Sequence, residues 1–377
     1  MNVPPELLTC IGKFLTHQDL TCSIRVNKTW HQVLAPCLYY TLDETSPQKP
    51  PLFVLSEYGH LLRRARVIVE GPYVRLLYQL DFNHGGPSRL QSLYLNIPPN
   101  TPRASKTVAL LESALGLQVL TIEQDPGSDY YFGGAFLDHR LGFGPSSFRS
   151  LGRHFLTLEN LDLDDSDNVQ SWMVQVILSS CPKLMMFNSP VLFAFDMVQD
   201  ALAEKCRQEM VDLDPKWNAA ETSDDGEGET ESLVQKWQVH LAQYPRHLAQ
   251  PWVCLGLRML RLAIAEVEPQ WNELILKQIS ALTQLRDLEL DVPPRYYGSR
   301  YLELSLDTGL GHLESLRHLE VLNFLSTGQN LQVRDVQWMS DTWPDLRDLS
   351  EDMHPVKATN VKLCQMVQSH FSRCNRT

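Results

Sequence analysis

Apolar positions along this chain follow two different periods. From Leu7 to Leu34 the period is helical: Leu7, Leu8, Ile11, Phe14 and Leu15 share 3.6-residue spacing. Pro4 and Pro5 suit a first helical turn, and Glu6 suits its positive end. The polar turn Thr16-His17-Gln18 and then Asp19 predict a second helix start. Asn27 predicts the cap of a third helix, which carries Trp30, Val33 and Leu34 and is expected to end at Pro36. Three helices of this size cannot bury all these apolar groups among themselves, so either a partner or the following domain must cover the rest. The stretch from Asp43 to Pro51 is polar and proline-rich, which predicts a semi-rigid, weakly packed linker.

Past the linker the string L-x-x-L-x-L recurs, starting at Leu90, Leu117, Leu158, Leu257, Leu285 and Leu316. Weaker copies start at Leu184 and Leu346, and Arg66 to Val69 is expected to open the series as a strand. Successive starts are 27, 41, 26, 73, 28, 31 and 30 residues apart. Five of these seven gaps lie near a period of about 20–29 residues, in which each unit supplies one short strand and a returning helix. Trp271, Leu274, Ile275, Gln278, Ile279 and Leu282 have the spacing of one such helix. The fold class expected is therefore α/β, a solenoid with a parallel sheet and outer helices. The gap of 41 holds a glycine- and aromatic-rich stretch, Tyr130 to Ser150, expected as an elongated loop. The gap of 73 holds an insertion at about 195–250, with one helix expected from Phe195 to Met210. Val361, Leu363, Met366, Val367 and Phe371 predict a C-terminal capping helix within 357–377.

Composition narrows the function. The 377 residues hold 33 basic against 45 acidic side chains, a net charge of -12, which argues against a nucleic-acid partner. Asp212 to Glu231 carries eight acidic residues against Lys216 alone, and the core of the insertion, 212–232, is expected to be disordered. No apolar run approaches the ~20 residues that span a bilayer, so no membrane partner is expected. Leu7 to Leu15 does not read as a signal peptide. The eight cysteines, at 10, 22, 37, 181, 206, 254, 364 and 374, form no C-x-x-C pair and are expected as buried thiols of a reducing compartment, cytoplasm or nucleus.

Catalytic and metal-binding signatures are missing. There is no G-x-S-x-G, H-E-x-x-H or G-x-x-x-x-G-K-[ST] string. Gly142-Phe-Gly144 is half of a dinucleotide fingerprint without its strand and helix. Asp162-Leu-Asp164-Asp165-Ser166-Asp167 lacks the glycine a calcium loop needs in sixth place, and Met173 replaces the glutamate in twelfth. His312 and His318 have no cysteine near them. The expectation is a protein without catalytic residues, bound metal or cofactor.

Val3-Pro4-Pro5-Glu6-Leu7-Leu8, Ile11, Leu15, Asp19-Leu20, Val26-Asn27-Lys28, Trp30, Leu34, Pro36 and Leu38 to Leu42 resemble an F-box. Departures from that pattern are Val3 for leucine, Asn27 for cysteine and Tyr39 for tryptophan. The repeats that follow resemble leucine-rich repeats, and the combination is similar to fungal F-box proteins with such repeats. The resemblance implies a substrate-recognition adaptor of an SCF-type cullin-RING ubiquitin ligase. The F-box would dock on a Skp-family linker subunit, and through it on a cullin, while the repeats hold the protein to be ubiquitylated. An F-box scaffold acting outside ubiquitylation is the alternative. The implied organisation is an F-box over 1–42, a linker and connecting helix over 43–59, repeats over 60–356 and the capping helix. The resemblance places the linker-subunit contact on Pro4, Leu8, Ile11, Leu15, Leu20, Val26, Trp30 and Leu38, leaving Leu7 and Phe14 or Leu34 for the F-box's own core.

Side chains alternate along a strand, so residues beside the inner leucines face the concave side. Tyr94, Glu123, Asp162, Asp164, Arg261, Asp287, Glu289, Asp291, His318 and Glu320 are the candidates there. Seven of them are acidic and Arg261 alone is firmly basic. The face reads either as ordinary solvation or as an electronegative trough for a basic segment of an unknown substrate protein.

Overall fold

A computed structural model describes residues 3–69, 71–74, 77, 90–98, 105–114, 116–124, 145–163, 169, 171–193, 252–265, 267, 269–290, 301–324, 329 and 331–350. The expected insertion, the Tyr130 to Gly144 stretch and the capping helix lie outside the described residues. The chain divides into two compact units, Met1–Val169 and Gln170–Thr377.

Unit 1 opens with the three expected helices, α1 (Pro5–Gly12), α2 (His17–Ser23) and α3 (Lys28–Leu38). Thr16 and Asp19 cap α2 reciprocally, each side chain bonding the other's backbone N–H, and the Asn27 side chain accepts from the Trp30 N–H at the start of α3. Pro36 does not end α3 as expected; the helix runs through it, and Tyr39 N–H still reaches the Ala35 carbonyl. Strand β1 (Thr41–Asp43) follows at once, then α4 (Leu52–Tyr58), β2 (Arg64–Ile68), β3 (Ser92–Ile97), α5 (Ser105–Ser113), β4 (Val119–Gln124), α6 (Pro145–Leu151) and β5 (Asn160–Asp162). The five strands pair in chain order, all parallel. The sheet thus begins one strand earlier than Arg66, inside the segment read as helix end and linker. α6 likewise occupies the end of the stretch expected as a loop. Leu93, Leu95, Leu120, Ile122, Leu161 and Leu163 form the buried face, as the repeat string requires.

Unit 2 repeats the design with α7 (Ser171–Ser180), β6 (Met186–Phe193), β7 (Met259–Ala265), α8 (Pro269–Ser280), β8 (Asp287–Glu289), β9 (Val321–Asn323), α9 (Val333–Thr342) and β10 (Asp348–Ser350). These strands are parallel and again in chain order. The weak copies at Leu184 and Leu346 are true strands, β6 and β10. The return from the insertion is pinned by Trp252, whose indole N–H donates to Gln175 Oε1 at 2.9 Å in the interior.

One repeat frame is corrected. Asp287, Leu288 and Glu289 pair with Val321, Leu322 and Asn323, so the repeat reads Leu319-x-x-Leu322-x-Phe324 rather than from Leu316. Leu319, Leu322 and Phe324 are buried. Leu316 is buried as well, three residues ahead of the strand string, which is why the pattern alone admitted both frames.

Candidate protein-binding surfaces

Helix α1 is apolar on two sides. Leu8 and Gly12 face inward, and a Cβ on Gly12 would lie 2.8 Å from Leu34 Cδ2 and 2.9 Å from Cys37 Sγ, so α1 and α3 approach at glycine distance. Leu7, Ile11 and Phe14 recur at i, i+4 and i+7 on the other side and are exposed, Phe14 by 89%. Val26 is exposed too. Leu20, Leu34 and Leu38 are a core against which Leu15 and Trp30 pack half-buried.

Of the eight residues assigned to a partner contact, Pro4, Ile11 and Val26 are therefore open to one, and Leu15 and Trp30 partly. Leu8, Leu20 and Leu38 lie inside. Leu7, expected in the core, is outside it, and of the alternatives Phe14 or Leu34 it is Leu34 that is buried. Helical spacing fixed two stripes 100° apart but could not say which faces α3; the small residue Gly12 on the Leu8 stripe was the available signal.

The expected weak packing between helices and sheet is replaced by firm anchorage. Tyr39 stacks on Tyr58 at 4.6 Å between ring centres, and Tyr58 Oη lies 3.2 Å from His31 Nε2. Glu44 is only 4% exposed; its carboxylate accepts the Ile68 N–H at 2.8 Å, and its carbonyl accepts from Lys49 Nζ. Tyr73 donates its hydroxyl to the Pro50 carbonyl at 2.7 Å, and burial pushes that phenol's pKa up.

The open face of the unit 1 sheet follows the register. One row is Asp43, Arg66, Tyr94, Thr121 and Asp162; the next along the strands pairs Ile68, Asn96 and Glu123. Arg66 lies 4.2 Å from the Tyr94 ring centre, with Nη2 3.3 Å from its hydroxyl, and Arg64 lies 5.7 Å from the Tyr40 ring centre. Asn96 Nδ2 reaches Glu123 at 3.5 Å. Asp164 is outside the described residues. Arg64 and Arg66 were passed over because their strand lacks the leucine string.

The unit 2 face is charge-balanced. Arg261 pairs with Glu289 at 2.5 Å, and Glu320 takes Arg286 at 3.2 Å on one side and Arg347 on the other. Arg258, Arg286, Glu320 and Arg347 each follow the first leucine of their string, a position the strand rule left out. Asp287 is the exception: burial and then the Glu289 charge push its pKa up, and its Oδ1 is buried without a hydrogen-bond partner. The frame correction moves His318 into an exposed turn and Glu320 to the strand entrance, and Val321 and Asn323 take the outward places. Asp291 lies outside the described residues. Within unit 2 the acidic Glu289 and Glu320 of this face are thus paired with arginines.

Cys181 and Cys254 are buried and their thiols are pushed up to about 12 by desolvation, so both are protonated at neutral pH. Cys10 and Cys22 are exposed, contrary to expectation. Among the described residues no three His, Cys, Asp or Glu side chains are grouped to hold a metal ion, and no helix is long and apolar enough to cross a membrane.

No family model matches the chain, and no curated protein matches it. Among solved structures it is similar to a chain of the crystal structure of the Rad7 and Elc1 complex in yeast, with 11% sequence identity and a TM-score of 0.37. That match covers 94% of this chain and 91% of the other.

Proposed function

We propose that the protein is a non-enzymatic adaptor. Its N-terminal helices dock on a Skp-family linker subunit of a cullin-RING ubiquitin ligase, in cytoplasm or nucleus, and its repeat sheets hold the protein to be modified. The observation that carries this reading is the exposed stripe of Leu7, Ile11 and Phe14, with Val26, on helices that already possess a closed core. Apolar side chains this exposed on a short helical unit are what a partner covers. They lie in the stretch that resembles an F-box, whose partner is such a linker. The mechanism is positional: holding two proteins on one chain raises the effective concentration of one near the other.

The test is capture of the full chain by a purified Skp-family linker, beside the double variant Leu7→Asp/Phe14→Asp. Wild type is expected to bind and the variant to lose at least tenfold in affinity while melting at the same temperature. A folded wild type that the linker does not capture would end the adaptor reading.

A further inference from the structure

We infer that the open face of β1–β3 in unit 1 is a clamp for an extended, acidic segment of a protein partner, with carboxylates at alternate positions, held by Arg64 and Arg66. The inference rests on reading the repeat sheets as the cargo-holding part of the adaptor.

The two arginines occupy consecutive outward positions of β2, with Ala65 buried between them. Each guanidinium lies over a tyrosine ring, Arg64 over Tyr40 and Arg66 over Tyr94. Stacking fixes the plane of a side chain that would otherwise sample many rotamers, and it leaves N–H groups of the fork to point outward, Arg66 spending part of its Nη2 on the Tyr94 hydroxyl. Among the described residues neither arginine is in a contact ion pair, although the charge of Arg66 is felt by Asp43, whose carboxyl it helps to hold below its usual range after the Thr45 hydrogen bond. Asp43, beside Arg66 in the register, has its carboxylate bonded to the Thr45 N–H at 2.9 Å and the Thr45 hydroxyl at 2.6 Å. Glu44 is turned inward onto the Ile68 N–H. In a chain where 45 acidic residues outnumber 33 basic ones, two oriented guanidiniums with no contact ion pair among the described residues are not a surplus of cations.

Spacing selects the ligand. Outward residues two apart on a strand are about 6.7 Å apart, which is also the separation of alternate side chains in an extended peptide. A segment of the form Glu-x-Glu laid along β2 presents one carboxylate to each guanidinium, and each can accept a bidentate pair of charge-assisted hydrogen bonds. A nucleic-acid strand fits less well. The tyrosine rings that would stack bases are already covered by guanidiniums, and the chain lacks the basic surface that counterion release requires.

The experiment is fluorescence anisotropy of a labelled peptide of alternating serine and glutamate with the full chain, over a range of salt, with a labelled oligothymidylate as second probe. Wild type should bind the peptide saturably, more weakly as salt rises, and in preference to the oligonucleotide. Arg64→Gln/Arg66→Gln should weaken peptide binding at least tenfold, and Arg64→Lys/Arg66→Lys, which keeps charge without the planar fork, should weaken it about threefold. No saturable peptide binding by wild type, equal binding by the glutamine variant, or preference for the oligonucleotide overturns the inference. Linker capture is measured on the same preparations. Linker capture without peptide binding defeats this inference alone; peptide binding without linker capture supports it and defeats the adaptor reading.

Discussion

Asn272 behaves toward Glu303 as a strand would. Its Nδ2 donates to the Glu303 carbonyl at 2.9 Å and its Oδ1 accepts the Glu303 N–H at 2.8 Å, and the same Nδ2 reaches the Thr308 carbonyl at 2.8 Å. The segment from Leu302 to Thr308 lies outside the strands, and side chains supply its missing ladder. Gln329 takes the Leu304 N–H and gives to the Leu302 carbonyl, and buried Asp335 takes the Leu306 N–H. Asn272→Ala leaves the Glu303 N–H without its part-buried acceptor, while the Glu303 carbonyl keeps the Thr308 hydroxyl. We expect a loss of about 1–3 kcal/mol. Asn272→Asp should recover only part of it, because the carboxylate accepts from the N–H but cannot donate. Urea midpoints of the two variants against wild type measure both effects.

Gly71 and Glu44 make a second tight pair in unit 1. A Cβ on Gly71 would lie 2.1 Å from Glu44 Oε1, while the other carboxylate oxygen is held by the Ile68 N–H. Gly71→Ala should therefore cost about 1–3 kcal/mol, the range for displacing a buried, bonded polar group. Glu44→Ala should cost a similar amount. The double variant should lose less than the sum, since the clash disappears with the carboxylate. Strict additivity in denaturant melts would show that the two residues do not meet.

How much of this was legible beforehand depended on whether a side chain's role is set by spacing or by a partner far along the chain. Leu93, Leu161 and Leu288 announced themselves by period, and the Asn27 cap by local chemistry, whereas the Thr16 cap lay inside a stretch read as a turn. Leu7 and Leu8 could not be sorted, because only α3 decides which stripe is inside. The Leu316 frame failed because a leucine in the preceding turn is buried just as the strand leucines are. Asn272, Glu44 and the Arg66–Tyr94 pair were invisible, since their partners lie 28 or more residues away, or in Glu44's case 24, with no repeating signature.

His154 gives unit 1 an acid-sensitive point. It is buried, with Nε2 2.8 Å from the Leu111 carbonyl and Nδ1 without a partner. Desolvation holds its pKa below the usual 6.5. A histidine depressed in the folded state binds fewer protons there than when unfolded. Its stabilisation is complete above pH 6.5 and is lost as pH falls from 6.5 toward the folded value, by up to about 1.4 kcal/mol per pH unit. His154→Gln removes that titration. The stability difference between wild type and His154→Gln should shrink from pH 7.5 to pH 5, and a pH-independent difference would refute the assignment.

Asp287 has the opposite linkage. Its carboxyl is raised above 3.8, so the folded state holds the proton more tightly and the ionised form is penalised at neutral pH. Asp287→Asn should stabilise the protein by about 0.5–2 kcal/mol at pH 7, the usual yield of relieving an unfavourable charge. The gain should vanish below pH 3.8, where the aspartic acid is neutral in both states. Thermal midpoints of the pair at pH 7 and pH 3.5 decide it.

Leu8 and Leu7, neighbours in the chain, should separate folding from docking. Leu8 is 1% exposed against α3, so Leu8→Ala opens a cavity and should cost about 2–5 kcal/mol. Leu7→Ala and Phe14→Ala remove groups that touch mainly solvent and should shift stability by less than about 0.5 kcal/mol. In linker capture the order reverses for a given amount of folded protein. Phe14→Ala should weaken binding most, Leu7→Ala next, and any residual folded Leu8→Ala least, because its surface stripe is intact. Substituting Leu8 to probe docking would confound the two roles; Phe14 does not. If Phe14→Ala melts early, the ring belongs to a core and the exposed stripe is not the docking face.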